Sequence, residues 1–132
     1  MILLFFSLFY QTVVPQQILF TSQTRGYRET VSIEKDSIRI DLNGNLQSYK
    51  LAPSDWNKIL KALEKVEYNK MPDYPAPTQA RAYDAARHST ITLRVDDQPF
   101  SSATFDDTKA PRELSKVMVC IEALKKKYDT GR

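Results

Sequence analysis

Apolar and polar residues alternate over much of the first half of the chain, and this period of two restricts the fold most strongly. Val31 and Ile33 are separated by a serine, while Ile38, Ile40 and Leu42 are separated by an arginine and an aspartate. Successive side chains of a β-strand point to opposite faces of a sheet. The pattern therefore predicts strands that each contribute one apolar face to a shared core.

Turn signals separate the predicted strands. Asn43-Gly44 is typical of a two-residue hairpin, Gly26 permits the positive φ that a turn at Arg25-Gly26-Tyr27 requires, and Asp96-Asp97-Gln98 forms another turn. Strands are predicted over residues 18–23, 30–34, 38–42, 46–51, 88–95 and 100–105. We expect neighbouring strands to pair as antiparallel hairpins.

Two segments have the spacing of amphipathic helices. The first is predicted to begin at Ser54 as N-cap and the second to run from about Arg112 to Tyr128. Their apolar faces are Trp56, Ile59, Leu60, Leu63 and Val66 in the first, and Leu114, Val117, Met118, Ile121 and Leu124 in the second. Each follows a predicted hairpin, which suggests a ββα unit used twice. The predicted fold is α+β, with an antiparallel sheet of five to six strands, both helices on one face and the other face partly in water.

A long segment between the first helix and the fifth strand, residues 69–89, contains Pro72, Pro75 and Pro77. Each proline fixes φ and removes a hydrogen-bond donor, so a regular helix or strand is not expected there. Long loops in small domains often carry function. This loop is therefore the first place to look for a site.

The first sixteen residues are uncharged and mostly apolar up to Val14. A run of this kind is typical of a signal peptide and is short for a transmembrane helix. We expect cleavage between Val14 and Ile18, a single α+β domain over residues 17–132, and a mature protein that is periplasmic or extracellular, with no stable transmembrane span. The run lacks a preceding Lys or Arg and an A-x-A-like cleavage site, so a first strand or a buried helix stays open as an alternative.

Charge and residue usage limit the possible partners and cofactors. The net charge is +3, and basic residues are interleaved with acidic ones, so a nucleic-acid surface is not expected. Lys125-Lys126-Lys127 ends the second predicted helix, where cations suit the terminal carbonyl groups. The chain has one His and one Cys, Cys120, which lies at a helical core position. Neither a metal centre nor a phosphate-binding loop is indicated, and no cofactor is expected.

Four segments, TSQTRGY, SDWNKILKALEKV, MPDYPAPTQARAYDAARHSTITL and SSATFDDTKAPREL, resemble in their order and spacing a family of small exported proteins from Bacteroidetes-type bacteria. Many members of that family are predicted lipoproteins, whereas this chain has no cysteine after its apolar run. The resemblance implies export without implying a lipid anchor. No activity is established for the family, so the resemblance assigns no catalytic residue.

Catalytic patterns are sparse. His88 could serve as a base with Ser89, Ser101, Ser102 or a Thr as nucleophile, but nothing in the local sequence resembles a nucleophile elbow. The pairs Asp96-Asp97 and Asp106-Asp107 could act as two carboxyl groups on a sugar, but adjacent aspartates are more typical of turns and helix caps.

A polar cluster is the better candidate for a site. Its predicted members lie near strand ends or in the long loop and are Arg25, Tyr27, Arg81, Asp84, Arg87, His88 and Asp106. Guanidinium–carboxylate pairs among them would order the loop, and we expect Arg25 to pair with Asp84 or Asp106. The same cluster could instead form a ligand pocket.

Two function classes follow from these residues. The favoured one is a non-catalytic exported module that binds an envelope protein, a peptide or a glycan. The other is a small hydrolase that uses Asp84, His88 and Asp106. The oligomeric state is not readable from the sequence.

Overall fold

An antiparallel sheet forms one layer of the fold in the computed structural model, which describes residues 14–83 and 85–130. Its strands are β1 (Gln17–Thr24), β2 (Tyr27–Glu34), β3 (Ser37–Leu42), β4 (Asn45–Lys50), β5 (His88–Val95), β6 (Gln98–Ser101) and β7 (Phe105–Asp106). Their order across the sheet is β4-β3-β2-β1-β5-β6, and β7 also pairs with β5. The first strand is therefore central, with β2 on one side and β5 on the other.

The hairpin turns have the backbone angles that their residues favour. Asn43 and Gly44 both have positive φ, 53° and 90°, as the mirror-image two-residue turn requires. Asp96 and Asp97 likewise have φ of 50° and 62°, which aspartate tolerates better than most residues. In the Arg25-Gly26 turn only the glycine has positive φ, at 77°. The predicted turn at this position is confirmed.

Two α-helices are described, α1 (Pro53–Ala62) and α2 (Ser115–Tyr128). The N-cap of α1 is Ala52 rather than the predicted Ser54, because Pro53 takes the first helical position and fixes the entry to the helix. Helix α2 is preceded by a 3-10 turn, Arg112–Leu114, so the helix proper begins later than predicted. The proline-rich segment holds two more 3-10 turns, Tyr68–Asp73 and Ala80–Tyr83, where only loop was expected.

The core lies between one face of the sheet and both helices. Ile18 and Phe20 of β1 are buried with Val31 and Ile33 of β2, and Trp56, Ile59, Val117 and Ile121 cover them from the helices in one continuous cluster. The α+β prediction is thus confirmed, with helices on one face. The β3–β4 and β5–β6 hairpins do each precede a helix, but β1 and β2 lie between them. The sheet is therefore not two ββα units placed side by side.

The predicted strand over residues 100–105 is interrupted. Ser102 follows β6, and its Oγ accepts a hydrogen bond from the backbone N–H of Ile91 at 3.0 Å while its own N–H donates to the Ile91 carbonyl at 2.9 Å. This side-chain bond replaces regular strand pairing at that point. The chain rejoins the sheet only at β7.

Ion pairs fasten the end of α2 to the rest of the fold. Lys125 Nζ lies 2.9 Å from a carboxylate oxygen of the buried Glu29 on β2, and Lys127 Nζ lies 2.7 Å from the buried Asp55 on α1. Tyr128 Oη donates to Asp55 at 2.7 Å and accepts from Ala52 N–H at 2.9 Å. Hydrogen bonds from Lys127 and then Tyr128 hold the pKa of Asp55 below its usual value. Two of the three lysines therefore pair with buried carboxylates in addition to ending the helix.

Replacement of Trp56 tests the helix–sheet packing. The side chain is only 7% exposed, so Trp56→Ala should lower the free energy of unfolding by about 3 to 5 kcal/mol. Urea denaturation measures the change. Val119→Ala on the solvent side of α2 is the control, since Val119 is 69% exposed and should change stability by less than about 0.5 kcal/mol. A loss below about 1 kcal/mol for Trp56→Ala would contradict the packing.

Two N-terminal deletions test where the folded domain begins. The predicted signal segment lies outside the described residues up to position 13, but Pro15 is buried and Gln16 contacts the β5–β6 hairpin. The Gln16 N–H donates to Arg94 O at 2.7 Å, and Asp97 N–H donates to Gln16 Oε1 at 2.7 Å. Chains that begin at Val14 and at Gln17 should both unfold cooperatively, with the shorter one less stable by about 1 to 2 kcal/mol. Non-cooperative thermal unfolding of the longer chain would show that residues 1–13 belong to the fold.

Candidate functional site

Asp106 on β7 is the anchor for the proline-rich loop. It is 0% exposed, and one carboxylate oxygen accepts from Thr78 Oγ1 and from Ala80 N–H at 2.7 Å. The other accepts from Arg81 twice, from the backbone N–H and from Nη1, each at 3.0 Å. A carboxylate has about four lone-pair sites. The loop therefore uses the full accepting capacity of this group.

The charge on Asp106 is stabilised by these donors. Burial alone would raise its pKa, but the hydrogen bonds from Thr78, from the backbone and side chain of Arg81 and from Ala80 outweigh burial and hold the pKa well below its usual range. Asp106 therefore stays ionised at neutral pH and is poorly suited to donate a proton. A guanidinium clamp on the loop is present, but the partner of Asp106 is Arg81, so the expected pairing of Arg25 with Asp106 is wrong. The alternative partner, Asp84, lies outside the described residues.

Arg87 forms a second clamp at the start of β5. Its Nε donates to Ser22 Oγ at 3.0 Å, and its backbone N–H donates to Asp107 Oδ1 at 3.0 Å. The guanidinium also lies over the ring of Tyr27, 4.8 Å from its centroid, within the range of a cation–π contact. Burial, then the charge of Glu29, raises the pKa of Tyr27. Arg87 and Tyr27 therefore stabilise the strand ends.

The proposed hydrolase residues do not all converge. Asp84 lies outside the described residues. His88 is exposed, and although it is opposite Asp106 in the β5–β7 register, the four hydrogen bonds that Asp106 accepts come from the loop. An aspartate without an open lone pair cannot orient a histidine as in a catalytic triad.

Arg25 and His88 instead line a groove on the outer face of the sheet, opposite the core. The groove has a volume of about 780 Å³, and its lining consists of Thr21, Gln23, Thr24, Arg25, Arg28, His88, Thr90 and Thr104. A second groove of about 540 Å³ adjoins it and is lined by Arg28, Thr30, Ser32, Arg39, Asp41, Asn43, Gly44 and Leu46. Because Arg28 belongs to both linings, we treat the two as one surface and call it the threonine trough.

Strand register produces the floor of the trough. Thr21 on β1 is opposite Thr90 on β5 and Thr30 on β2, so three threonines form a row across three neighbouring strands. The Oγ1 atoms of Thr21 and Thr90 are hydrogen-bonded at 2.9 Å. The row continues through Asp41 to Leu46 on the outermost strand.

Basic residues border this floor. His88 and Arg28 flank Gln23 in the next row toward the end of the sheet, Arg25 lies in the adjacent turn, and Arg39 lies on β3. Within residues 14–83 and 85–130, the ion pairs include none with Arg25, Arg28 or Arg39. Asp41 is the acidic member of the lining, and it accepts from Gly44 N–H at 2.8 Å.

The described part of the chain supports neither a metal site nor a reactive cysteine. No group of three His, Cys, Asp or Glu side chains there could hold a metal ion. Cys120 on α2 is half-buried, and burial raises the pKa of its thiol. A raised pKa leaves little of the reactive thiolate at neutral pH.

Comparison of the chain with protein-family models, curated proteins and solved structures finds no match. Among the described helices, none has both the length and the apolar character needed to cross a bilayer.

Removal of the Arg81 side chain tests the loop clamp. Arg81→Ala deletes a charge-assisted bond to a buried carboxylate, so we expect the free energy of unfolding to fall by about 1 to 3 kcal/mol. Limited proteolysis within residues 72–87 should also become faster. Arg25→Ala is the matched control, because that exposed guanidinium should change stability by less than about 0.5 kcal/mol. If Arg25→Ala were the more damaging substitution, the assignment of Arg81 as the clamp would be wrong.

Proposed function

We propose that this protein is an exported, non-catalytic binding module of the bacterial cell envelope that holds its ligand in the threonine trough. The observation that carries the proposal is the contrast between two sets of arginines. Arg81 and Arg87 are each engaged by carboxylate or hydroxyl groups of the fold. Arg25, Arg28 and Arg39 are exposed around one polar groove and have no ion-pair partner among the described residues.

Exposed guanidinium groups gathered around a concave surface favour recognition of an anionic group. Guanidinium binds carboxylate through two parallel hydrogen bonds. The same three arginines repel one another weakly across the trough, and a ligand that brings negative charge would relieve that repulsion. The partner class is therefore an anionic protein, peptide or glycan of the envelope.

Export is supported by the uncharged apolar run over residues 1–16 and by the resemblance to small exported proteins of Bacteroidetes-type bacteria. A ligand in the periplasm or at the cell surface fits this compartment.

The hydrolase alternative has weaker support. His88 does line the trough and could accept a proton. Its proposed carboxylate partner Asp106 is occupied by the loop, however, and a general acid requires a raised rather than a lowered pKa. Binding without turnover is the function that these contacts favour.

Co-sedimentation with isolated envelopes of a Bacteroidetes-type bacterium tests the proposal. Arg25→Gln/Arg28→Gln removes two guanidinium groups that contact no described carboxylate, so the fold should be retained while the bound fraction falls about tenfold. Arg94→Gln is the control, because Arg94 is an exposed arginine of β5 outside the trough. Its binding should equal that of the wild type.

Two results would contradict the proposed function. Equal binding by the double variant and the wild type would exclude the trough as the binding surface. Turnover of an envelope glycan or peptide by the wild type, abolished in His88→Gln, would instead establish the hydrolase.

A further inference from the structure

The threonine trough runs across the strands. Its floor passes from Thr90 on β5 through Thr21 and Thr30 to Asp41 and Leu46 on β4. Five adjacent strands at about 4.8 Å spacing give the floor a length of about 19 Å. This length fits a chain of several linked units rather than one small anion.

The direction of the trough disfavours an extended peptide. Peptides that add to a sheet bind along an edge strand, where backbone N–H and C=O groups are open. The strands β1, β2 and β5 under the trough are each paired on both sides, so their backbone groups are engaged within the sheet. A peptide helix would need apolar anchor pockets, and Leu46 is the one large apolar side chain of the two linings.

The floor offers hydroxyl groups, which both donate and accept hydrogen bonds. In the bond between Thr21 and Thr90 either oxygen can be the donor, so the pair can turn toward a ligand donor or a ligand acceptor. Sugar hydroxyls have the same dual character. A row of threonines is therefore complementary to a chain of sugar units.

The basic residues lie on both sides of the threonine floor. Arg39 is opposite Ser32, four residues along β2 from Arg28, so the Cα atoms of Arg28 and Arg39 lie about 14 Å apart across the width of the trough. His88 and Arg25 lie on the same side of the floor as Arg28. A compact dianion such as phosphate could not reach both sides, whereas carboxylates on different sugars of one chain could. The two described linings contain no Phe, Tyr or Trp, so charge and hydroxyl contacts, rather than stacking on such rings, would provide the affinity.

Resting on the proposed function, we infer that the ligand of the threonine trough is an acidic oligosaccharide. Its hydroxyl groups bond to Thr21, Thr30 and Thr90. Its uronate carboxylates bind to the guanidinium groups of Arg28 and Arg39 on opposite sides of the floor, and Arg25 and His88 hold the neighbouring sugar units on the side of Arg28.

Titration calorimetry with defined hexamers tests the ligand class. Hexagalacturonate and a hyaluronan hexamer are the acidic probes, methyl-esterified hexagalacturonate removes the charge without changing the sugar chain, and hexaglutamate is the acidic peptide. At least one uronate hexamer should bind, the esterified form about tenfold or more weakly, and hexaglutamate more weakly than the uronate.

Single-residue variants test whether the uronate binds in the trough. Arg28→Gln should weaken uronate binding about tenfold, because Arg28 lines both of the grooves that form the trough. Thr21→Val, which keeps the shape and removes the hydroxyl, should weaken it severalfold. Arg94→Gln should bind as the wild type does, and thermal unfolding checks that each variant is folded. Amide chemical shifts of β1 and β2 should move with uronate concentration.

The outcomes separate this inference from the proposed function. If hexaglutamate binds through Arg28 more tightly than both uronates do, the ligand is not an acidic glycan. The same conclusion follows if neither uronate binds while envelope binding still depends on Arg25 and Arg28. Both results would leave the proposed binding module in place. If neither envelope binding nor uronate binding changes when Arg28 is replaced, the inferred ligand and the proposed function of the trough are both wrong.

Discussion

β1 is hydrogen-bonded on both sides, and the rest of the structure depends on that placement. Its pairing with β2 and β5 joins the first half of the chain to the second in one sheet. On one face this brings Phe20 beside Val31 and Ile91 in the core. On the other face the same register aligns the three threonines of the trough. Core and candidate site are therefore two sides of the same strand pairing.

The buried carboxylates and the outward arginines have opposite roles. Glu29, Asp55 and Asp106 are buried, and each is neutralised by a partner from another element: Lys125, Lys127 and Arg81. Pairs of this kind offset the cost of burying charge and fix the geometry of the elements that they join. Arg25, Arg28 and Arg39 of the trough make no such ion pair with the described residues. Under the proposed function they are the groups that meet the ligand.

Much of the layer architecture could be predicted from local sequence. Alternation in β2 and β3, the Asn-Gly turn and the two apolar helix faces each depend on neighbours within a few residues, so short-range physics determines them. Details that depend on tertiary contacts were not predictable. The bond from Ile91 to Ser102 interrupts the predicted strand, and Pro53 moves the helix N-cap to Ala52.

The candidate site was less predictable than the fold because it depends on register. Thr21, Thr30 and Thr90 are ordinary outward positions in three separate segments, and only the pairing of β1 with β5, 69 residues apart at Thr21 and Thr90, makes them a row. A shift of one residue in the strand register would turn these threonine side chains toward the core. The chain segment with Arg81 gave no periodic signal, since the prolines prevent regular structure, and so the partner of Asp106 could not be identified beforehand.

The lysines at the end of α2 join the end of the folded domain to two elements that come much earlier in the sequence. Glu29 and Lys125 are 96 positions apart, and Asp55 and Lys127 are 72 apart. A chain that stops before residue 125 would lose the cation that pairs with Glu29, would leave Asp55 with only the longer Lys58 contact at 3.8 Å, and would lack the last turn of the helix that covers the sheet. Truncation of a few residues at the end of α2 would therefore weaken the contacts of β2 and α1, far away in sequence.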